Sequence, residues 1–341
     1  MHAYQKLSGH IPIPTAKLMP NRHPAVSIII VSFNTKELTL SCIRSIIRET
    51  TEYSYEIIVI DNNSSDGSAA AIRETFPHLL LIETGANLGF AGANNVAAKS
   101  AQGSRLLLLN PDTLVLNGAV DALMKFADST PHAQLWGGRA FFPDKSINAS
   151  CWNDMTLWSS LCRAVGLTWI FPKSKLFNPE SIHLWSSLDR ERNVDIVVGC
   201  FLLIEKSTWD RLGGFNTAFF LYGDEVDLCL RARKLGARPR ITPTAAIIHY
   251  GGRSEPSSED KLIKVFKGRI TVMKAHWCPL AAHVGRWLLL VTVGLRVVGS
   301  LFFWPPSHPG AGLDGRSDVW PAVFRRRKEW SGGWLPAASN D

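Results

Sequence analysis

Four apolar runs alternate with helix-like segments in the first third of the chain, and this alternation limits the fold more than any other feature. The runs cover residues 25–33, 55–61, 78–83 and 105–110. They are rich in β-branched residues or leucine, which is typical of strands buried on both faces of a parallel sheet. The segments between them place apolar residues at helical spacing. This repetition predicts an α/β fold in which helices cover a parallel sheet on both sides.

Further elements are predicted beyond residue 110, in a less regular order. A strand is predicted over 194–206, a short helix ends at Gly213-Gly214, and a helix follows the acidic run at 224–227. Gly236 is suited to end that helix, because glycine adopts the left-handed conformation that closes helices. A last strand covers 237–250, and residues 141–192 are irregular and rich in Trp and Ser.

Composition and charge narrow the class of protein. The 341 residues are 46% hydrophobic and 19% charged, which excludes a disordered or fibrous chain, and a mean hydropathy of +0.03 excludes a polytopic membrane protein. Residues 1–230 carry 19 Lys+Arg and 22 Asp+Glu, a net of −3, whereas residues 231–341 carry 18 and 7, a net of +11. The basic charge therefore belongs to the last third, which favours a local anionic surface as a partner and no nucleic acid.

The cysteines and the N-terminus both indicate a protein that is not exported. The six cysteines form no CxxC pair and no zinc-binding spacing, so we expect reduced, buried thiols in a cytosolic protein. Residues 1–24 are polar and interrupted by prolines, and they are predicted to be a flexible leader without a secretory signal.

The C-terminal segment 280–304 is apolar and long enough to cross a bilayer. An arginine inside a spanning helix costs about 2.5–3.5 kcal/mol. The polar residues of the segment fall within about half of a helical wheel, which favours a helix lying in the membrane interface. They are His283, Arg286, Thr292, Arg296 and Ser300. The basic run 325–328, with Trp320 and Trp330 nearby, would add attraction to anionic headgroups. The alternative is a helix packed on the domain.

Carboxylate or amide side chains follow the predicted strands at Asn34, Asp61, Asn87 and Asp112. In open α/β sheets, ligands bind beyond the carboxyl ends of the strands. Chance could place one polar residue at such a position, but four in succession favour a binding site.

Two of these carboxylates have distinct candidate roles. Mg²⁺ and Mn²⁺ bind one or two carboxylates together with substrate phosphates, so Asp112 is a candidate metal ligand. Asp61 could accept hydrogen bonds from a nucleobase imide or a ribose hydroxyl, because Asp66 is already suited to cap the next helix. For both residues the alternative is a turn or helix cap.

An acidic run and one histidine are further candidates. Asp224-Glu225-Val226-Asp227 places three carboxylates at a predicted helix start. Their repulsion raises the pKa of one member, which suits a general base, and a solvated helix start is the alternative. His249 ends an apolar strand, where its imidazole could bind a metal or serve the structure alone.

Six segments in order resemble the family 2 glycosyltransferases of GT-A fold, and most closely their rhamnosyltransferase-like branch. They are VSIIIVSFN, EIIVIDNNSSDGS, NLGFAGANN, LLLLNPDT, GGFNTAFFLYGDEVDLCLRARKLG and IIHYGGRS, and they cover about residues 26–255. The resemblance implies a GT-A-type, Rossmann-like and mostly parallel sheet flanked by helices. The catalytic domain would be 25–275, with a nucleotide-binding half (25–112) and an acceptor and catalytic half (113–275), in which the Trp-rich stretch shapes the acceptor side. An amphipathic, membrane-associating segment (276–306) and a basic tail (307–341) would follow.

The resemblance also implies roles for single residues. The nucleoside would contact Ser32, Asn34 and Asp61, and the donor site would include Asn87, Asn95 and Asn110. Many relatives carry Asp-x-Asp where this chain has 110–112, so Asp112 would hold Mg²⁺ or Mn²⁺, and His249 would complete the metal and diphosphate site. Many relatives also carry Glu-Asp-x-Asp in the acidic run, so Glu225 is the favoured base by position and Asp224 the second choice.

Together these roles imply an inverting, metal-dependent sugar transfer. The donor would be a nucleoside-diphosphate sugar, with dTDP-L-rhamnose as the first choice and UDP-hexoses as the second. The acceptor would be a surface polysaccharide or a polyprenyl-diphosphate-linked saccharide, and the enzyme would lie on the cytoplasmic face of the cell membrane. Two alternatives stay open. The first is a sugar-1-phosphate nucleotidyltransferase, although such an enzyme usually has a Gly-rich loop where this chain has Ser32-Phe33-Asn34. The second is a non-catalytic nucleotide-sugar-binding scaffold.

Overall fold

The computed structural model describes residues 23–251, 258–302 and 319–334. Most of the predicted leader, the Gly252-Arg253-Ser254 end of the last motif and parts of the basic tail lie outside these residues. The strands are β1 Val26–Ser32, β2 Tyr55–Asp61, β3 Leu80–Glu83, β4 Arg105–Leu109, β5 Thr113–Leu116, β6 Leu135–Phe141, β7 Ile147–Asn148, β8 Cys151–Trp152, β9 Arg192–Asn193, β10 Ile196–Val197, β11 Phe201–Glu205 and β12 Arg240–His249. The helices are α1 Lys36–Glu49, α2 Ser68–Thr75, α3 Gly89–Ser100, α4 Ala119–Ser129, α5 Leu157–Ala164, α6 Leu167–Ile170, α7 Ile182–Trp185, α8 Lys206–Leu212, α9 Asp224–Lys234, α10 Ser258–His276, α11 Pro279–Phe302, α12 Trp320–Arg325 and α13 Arg327–Trp330.

The central sheet confirms the predicted α/β class. Its strand order is β3-β2-β1-β4-β11-β6-β12-β5. The first four strands are mutually parallel, as their alternation with helices predicts, and β12 is also parallel to β6. Strands β11 and β5 are antiparallel to their neighbours, so the regular βαβ half passes into a mixed half after residue 110.

Burial on both faces of the sheet explains the unbroken apolar run of β1. Ile29 and Val31 pack into a core with α3 and α9, whereas Ile28 and Ile30 pack into a second core with α1, α2 and α4. Side chains alternate between the faces of a strand, so a strand covered on both sides needs apolar residues at every position. A third apolar cluster joins α10, α11, α12 and α13.

The predicted strand over 194–206 is wrong in one respect, because the structure breaks it into β10 and β11. β10 pairs with β8 in a separate two-stranded sheet, and β11 pairs with β4 and β6 in the central one. Val198, Gly199 and Cys200 form the break and lie beside the carboxyl end of β4, where the Asn110 N–H donates to the Cys200 carbonyl at 3.2 Å. An apolar run cannot reveal this break by periodicity, since both strands are buried.

Candidate functional site

Asp61 lies where β2 ends and is almost completely buried, at 3% exposure. Its Oδ2 accepts a hydrogen bond from the Ser64 N–H at 2.9 Å. Its Oδ1 is buried without a hydrogen-bond partner among the described residues. A buried carboxylate oxygen without a partner is costly, so this atom is suited to receive a donor from a ligand. As predicted, Asp66 serves the turn: its carboxylate accepts from the N–H groups of Ser68 and Lys36, at the starts of α2 and α1.

Asn34 belongs to the same edge of the sheet. It has a positive φ of 53°, and its Oδ1 accepts from the Ser65 N–H at 2.8 Å. Its own N–H donates to the Ser64 hydroxyl. The loops after β1 and β2 are therefore tied together at the predicted nucleoside side of the site.

Ser32 faces the interior instead of this edge. It is fully buried, and its hydroxyl is within hydrogen-bonding distance of the hydroxyls of Thr35 and Thr39. The structure thus places this hydroxyl in the junction between β1 and α1, although Ser32 is the strand partner of Asp61.

Asn62, which the sequence analysis did not select, holds the loop that carries Asn87. Its Nδ2 donates to the Asn87 Oδ1 at 2.9 Å, and its Oδ1 accepts from the Leu88 N–H at 2.9 Å. Asn87 in turn accepts from the Gly89 N–H, which begins α3. These bonds fix the start of α3 against the end of β2.

The predicted donor-site residue Asn95 has both ends of its amide engaged elsewhere. Its Nδ2 donates to the Phe215 carbonyl at 2.8 Å, and its Oδ1 accepts from the Phe215 N–H at 2.9 Å. This paired bond joins α3 to the loop that follows Gly213-Gly214, so Asn95 positions the loop leading to the acidic run.

Asp112 and His249 come together as predicted. The Asp112 Oδ1 lies 3.2 Å from the His249 Nε2, and both side chains are largely buried. The pairing of His249 with Thr113 across β12 and β5 creates this approach, and the Tyr250 N–H donates to the Asp112 carbonyl. Asn110 adds an amide nitrogen 3.3 Å from the same imidazole nitrogen.

Two residues missed in the sequence surround the imidazole on its other sides. The Asn148 Nδ2 lies 3.3 Å from the His249 Nδ1 and donates to the His249 carbonyl. Burial lowers the pKa of His249, but the nearby Cys200 thiol and Asp112 carboxylate outweigh it and raise that pKa to about 10. The carboxylate therefore stabilises positive charge at this position, and a divalent cation bound to the imidazole would have to displace the proton there.

The pair fits a divalent cation that takes its other ligands from substrate. No group of three or more His, Cys, Asp or Glu side chains in the described ranges could form a metal site by itself. The Asp112 carboxylate suits Mg²⁺ or Mn²⁺, and the imidazole would add one nitrogen ligand. Diphosphate oxygens and water would supply the other positions.

The three carboxylates of the acidic run have different environments at the start of α9. Asp227 is buried in an ion pair with Arg231 at 2.7 Å, and its Oδ1 lies 2.8 Å from the His276 Nε2, so it is a structural residue. Burial, followed by the charge of Glu225 and a hydrogen bond with it, raises the pKa of Asp224 well above its ordinary value. Within this neighbouring pair, Asp224 is therefore the carboxyl group that burial and the charge next to it favour in the protonated form.

Glu225 lies near the Asp112–His249 pair, across the break between β10 and β11. A Cβ added at Gly199 would lie 3.7 Å from the Glu225 Cβ and 3.4 Å from the Phe90 ring. The next residue, Cys200, contacts His249. Glu225 therefore packs beside Gly199, one residue from the side chain that contacts His249.

The loop before α9 is held from two sides by glycines. A Cβ at Gly89 would lie 2.3 Å from the Phe220 carbonyl oxygen, and one at Gly268 would lie 2.3 Å from the Tyr222 carbonyl oxygen. The Phe90 N–H also donates to the Phe220 carbonyl at 2.9 Å. Helices α3 and α10 therefore enclose the loop that carries the acidic run.

The mostly parallel sheet and its flanking helices have the GT-A-type fold of glycosyltransferases. Residues 27–152 match the family model described as glycosyl transferase family 2. The N-acetylglucosaminyl-diphospho-decaprenol L-rhamnosyltransferase of Mycobacterium tuberculosis (strain ATCC 25618 / H37Rv) is 29% identical over 217 residues, which are 60% of this chain and 69% of that protein. The rhamnosyltransferase WbbL of Escherichia coli (strain K12) is 25% identical over 254 residues, 70% of this chain and 88% of the relative.

Residues 27–152 form a family 2 glycosyltransferase domain, and the chain is similar to rhamnosyltransferases. Its fold is also similar to that of the mannosyltransferase PcManGT from Pyrobaculum calidifontis, solved in complex with GDP-Man and Mn²⁺. That likeness has a TM-score of 0.52 at 19% identity and covers 92% of this chain and 84% of the other.

Proposed function

We propose that this enzyme transfers a sugar, L-rhamnose from dTDP-L-rhamnose as the first choice, to a polyprenyl-diphosphate-linked acceptor during cell-surface glycan synthesis. The observation that carries the proposal is the position of Glu225 beside Gly199, because the next residue, Cys200, contacts His249 of the Asp112–His249 pair. The similarity to the mycobacterial and Escherichia coli rhamnosyltransferases supports the choice of sugar, and the name of the mycobacterial relative supports the acceptor.

On the donor side, the unpartnered Asp61 oxygen would accept a hydrogen bond from the nucleobase or ribose. Asp112 and His249 would hold Mg²⁺ or Mn²⁺ at the diphosphate. A bound divalent cation would neutralise charge on the departing nucleoside diphosphate. The carboxylate of Asp112 and the amide of Asn110 keep the His249 imidazole in place for this role.

On the acceptor side, Glu225 would be the general base. The raised pKa of Asp224 disfavours it as the base, and the Glu225 carboxylate would take the proton of an acceptor hydroxyl as that oxygen attacks the anomeric carbon. A single displacement from the opposite face inverts the anomeric configuration, through an oxocarbenium-like transition state.

The experiment is a screen of nucleotide-sugars for release of nucleoside diphosphate, with and without Mn²⁺. We expect dTDP-L-rhamnose to react in the presence of a polyprenyl-diphosphate-linked acceptor. Glu225→Gln should bind donor and lose transfer, and Asp112→Ala should lose metal-dependent turnover. Asp144→Asn changes an exposed turn carboxylate and serves as the matched control.

Several results would overturn parts of the proposal. Release of pyrophosphate in place of nucleoside diphosphate would identify a nucleotidyltransferase. Full turnover of Asp112→Ala at saturating Mn²⁺ would remove the metal role. Loss of transfer with retained donor binding in Asp224→Asn, but not in Glu225→Gln, would make Asp224 the base.

A further inference from the structure

Helix α11 exposes a continuous apolar stripe. The stripe consists of six large side chains at spacings of three or four residues, so they share one face of the helix: Leu280, Val284, Trp287, Val291, Leu295 and Val298. Trp287 is 54% exposed and Leu280 75%. Within Pro279–Ser300, an 18-residue stretch has a mean hydropathy of 1.4, and 22% of that stretch is buried. A soluble helix would turn this face towards the core.

The polar residues of α11 lie mainly against the protein instead. The Arg286 Nε donates to the Ser331 carbonyl at 2.8 Å, and the Arg296 guanidinium lies 4.6 Å from the centre of the Trp320 ring. Thr292 is buried. The helix is therefore oriented with its apolar stripe outward, and it is held in that orientation by its polar side.

A second exposed apolar surface lies on α5, α6 and the loop after them. Its members are Leu157, Trp158, Leu161, Val165, Trp169, Ile170, Phe171 and Leu176. Trp169 is 68% exposed. Helices α5 and α11 pack against each other, and Ser160 and Arg163 share a small cavity with Gly285 and Leu289. The two exposed surfaces are therefore neighbours.

The charges of both segments have one sign. Residues 155–177 contain Arg163, Lys173 and Lys175 but no Asp or Glu, and residues 277–304 contain Arg286 and Arg296 but no Asp or Glu. Lys173 and Lys175 are exposed beside the aromatic residues of α6. Tryptophan next to basic residues on an apolar surface is typical of proteins that bind the interface of an anionic membrane.

We propose that α5–α6 and α11 form one membrane-docking surface. Through this surface the protein binds an anionic lipid bilayer, with α11 parallel to the membrane plane. A spanning α11 would have to break its contacts with α5, α10 and α12, including those of Arg286 and Arg296. The surface deepens the proposed function and rests on its lipid-linked acceptor. Helix α10 packs on α11 and contacts the acidic loop at Gly268, so the docked protein holds Glu225 one helix layer from the lipid.

The test is flotation of the full chain with vesicles, in the absence of donor and acceptor. One set of vesicles is phosphatidylcholine, and the other is phosphatidylcholine mixed with phosphatidylglycerol. The variants are Trp169→Ser with Ile170→Ser on α6, and Val291→Gln with Leu295→Gln on α11. Leu80→Gln in the edge strand β3, which is exposed to a similar extent at 43%, is the matched control.

We expect the wild-type protein to float with the anionic vesicles, and each double variant to lose roughly tenfold in partitioning. Leu80→Gln should float like the wild type, and all variants should keep the wild-type melting temperature because the changed side chains are exposed. Alkaline carbonate should release the wild-type protein, since α11 does not cross the bilayer.

Three results would overturn the proposal. Normal flotation of the α6 variant with loss in the α11 variant would restrict the surface to α11. Retention after carbonate treatment would indicate a spanning helix. Failure to float, with self-association that both double variants abolish, would make the surface an interface between copies. Glu225→Gln should float normally, so a failed sugar-transfer assay with normal flotation would count against the proposed function alone.

Discussion

Gly268 lies in the middle of α10 and contacts the loop that carries the acidic run. In a helix interior glycine costs about 1 kcal/mol relative to alanine, so on helix propensity alone Gly268→Ala should stabilise the protein. The added Cβ would, however, lie 2.3 Å from the Tyr222 carbonyl oxygen and 2.8 Å from the Tyr222 carbonyl carbon. Both are backbone atoms, so the clash cannot be relieved by a side-chain rotation.

The structure sets the size of the displacement. Real Cβ contacts are essentially never below 3.0 Å, so the loop or α10 must move by at least 0.7 Å. Overpacking of this kind costs about 1–3 kcal/mol, which cancels or exceeds the gain in helix propensity. Because Tyr222 is two residues before Asp224, the displacement reaches the carboxyl pair, and a misplacement near 1 Å costs about 100-fold in rate.

We therefore expect Gly268→Ala to lower kcat by about 10- to 100-fold, with a melting temperature at or slightly below that of the wild type. The assay is release of nucleoside diphosphate, next to a thermal melt. Gly299→Ala in α11 is the matched control, because a Cβ there meets nothing within 4 Å. It should raise stability and keep activity. If Gly268→Ala also raised the melting temperature and stayed within twofold of wild-type activity, the close contact would not position the acidic run.

Three further predictions concern stability. Because the pKa of Asp224 is raised, the folded protein keeps a proton that the unfolded chain releases, so the free energy of unfolding falls as pH rises above about 4. Asp224→Asn should therefore raise the melting temperature more at pH 8 than at pH 5. An equal change at both pH values would contradict the raised pKa. Glu180 is buried, and although burial raises its pKa, the ion pairs with Arg269 and Arg163 lower that pKa to about 2. Glu180→Gln leaves both guanidinium groups without their anion, so it should lower the free energy of unfolding by about 3 kcal/mol, measured by urea unfolding at pH 7. Asn95→Ala removes two bonds to the Phe215 backbone and should lower the free energy of unfolding by about 1–2 kcal/mol, and no loss would show that the loop does not need them.

The sequence predicts the nucleotide-type half of the fold well because each element there is specified locally. The β-branched runs, the helical spacing of α1 and the turn around Asp66 all act within a few residues. The positions of Asp61 and Asp112 at strand ends follow from the same local pattern, and so does the approach of their loops to one edge.

Residues that act through contacts distant in sequence could not be predicted in this way. Asn62 reads as one more turn residue, but its bonds reach Asn87 and Leu88. Asn148 contacts His249, about a hundred residues later in the chain, and the role of Gly268 depends on its close approach to Tyr222. These residues follow no spacing pattern that a single sequence could reveal.

The charge and the aromatic residues of the C-terminal region show a related limit. Arg326, in the basic run that was expected to face headgroups, forms ion pairs with Glu259, Asp260 and Glu329. Trp320 and Trp330 are buried in the third apolar cluster and do not face the surface. A helical wheel groups the polar residues of α11 correctly, but it cannot tell which side of the helix the protein covers.

Helix α11 is packed against α5, α10 and α12 and is not joined to the domain by a flexible linker alone, so a docked molecule cannot rotate freely relative to the membrane. Its encounters with a lipid-linked acceptor become collisions within a plane, at one fixed angle of approach. The turnover rate should then follow the number of acceptor molecules per unit of membrane area, and diluting the acceptor with inert lipid should slow the enzyme even when its bulk concentration is unchanged.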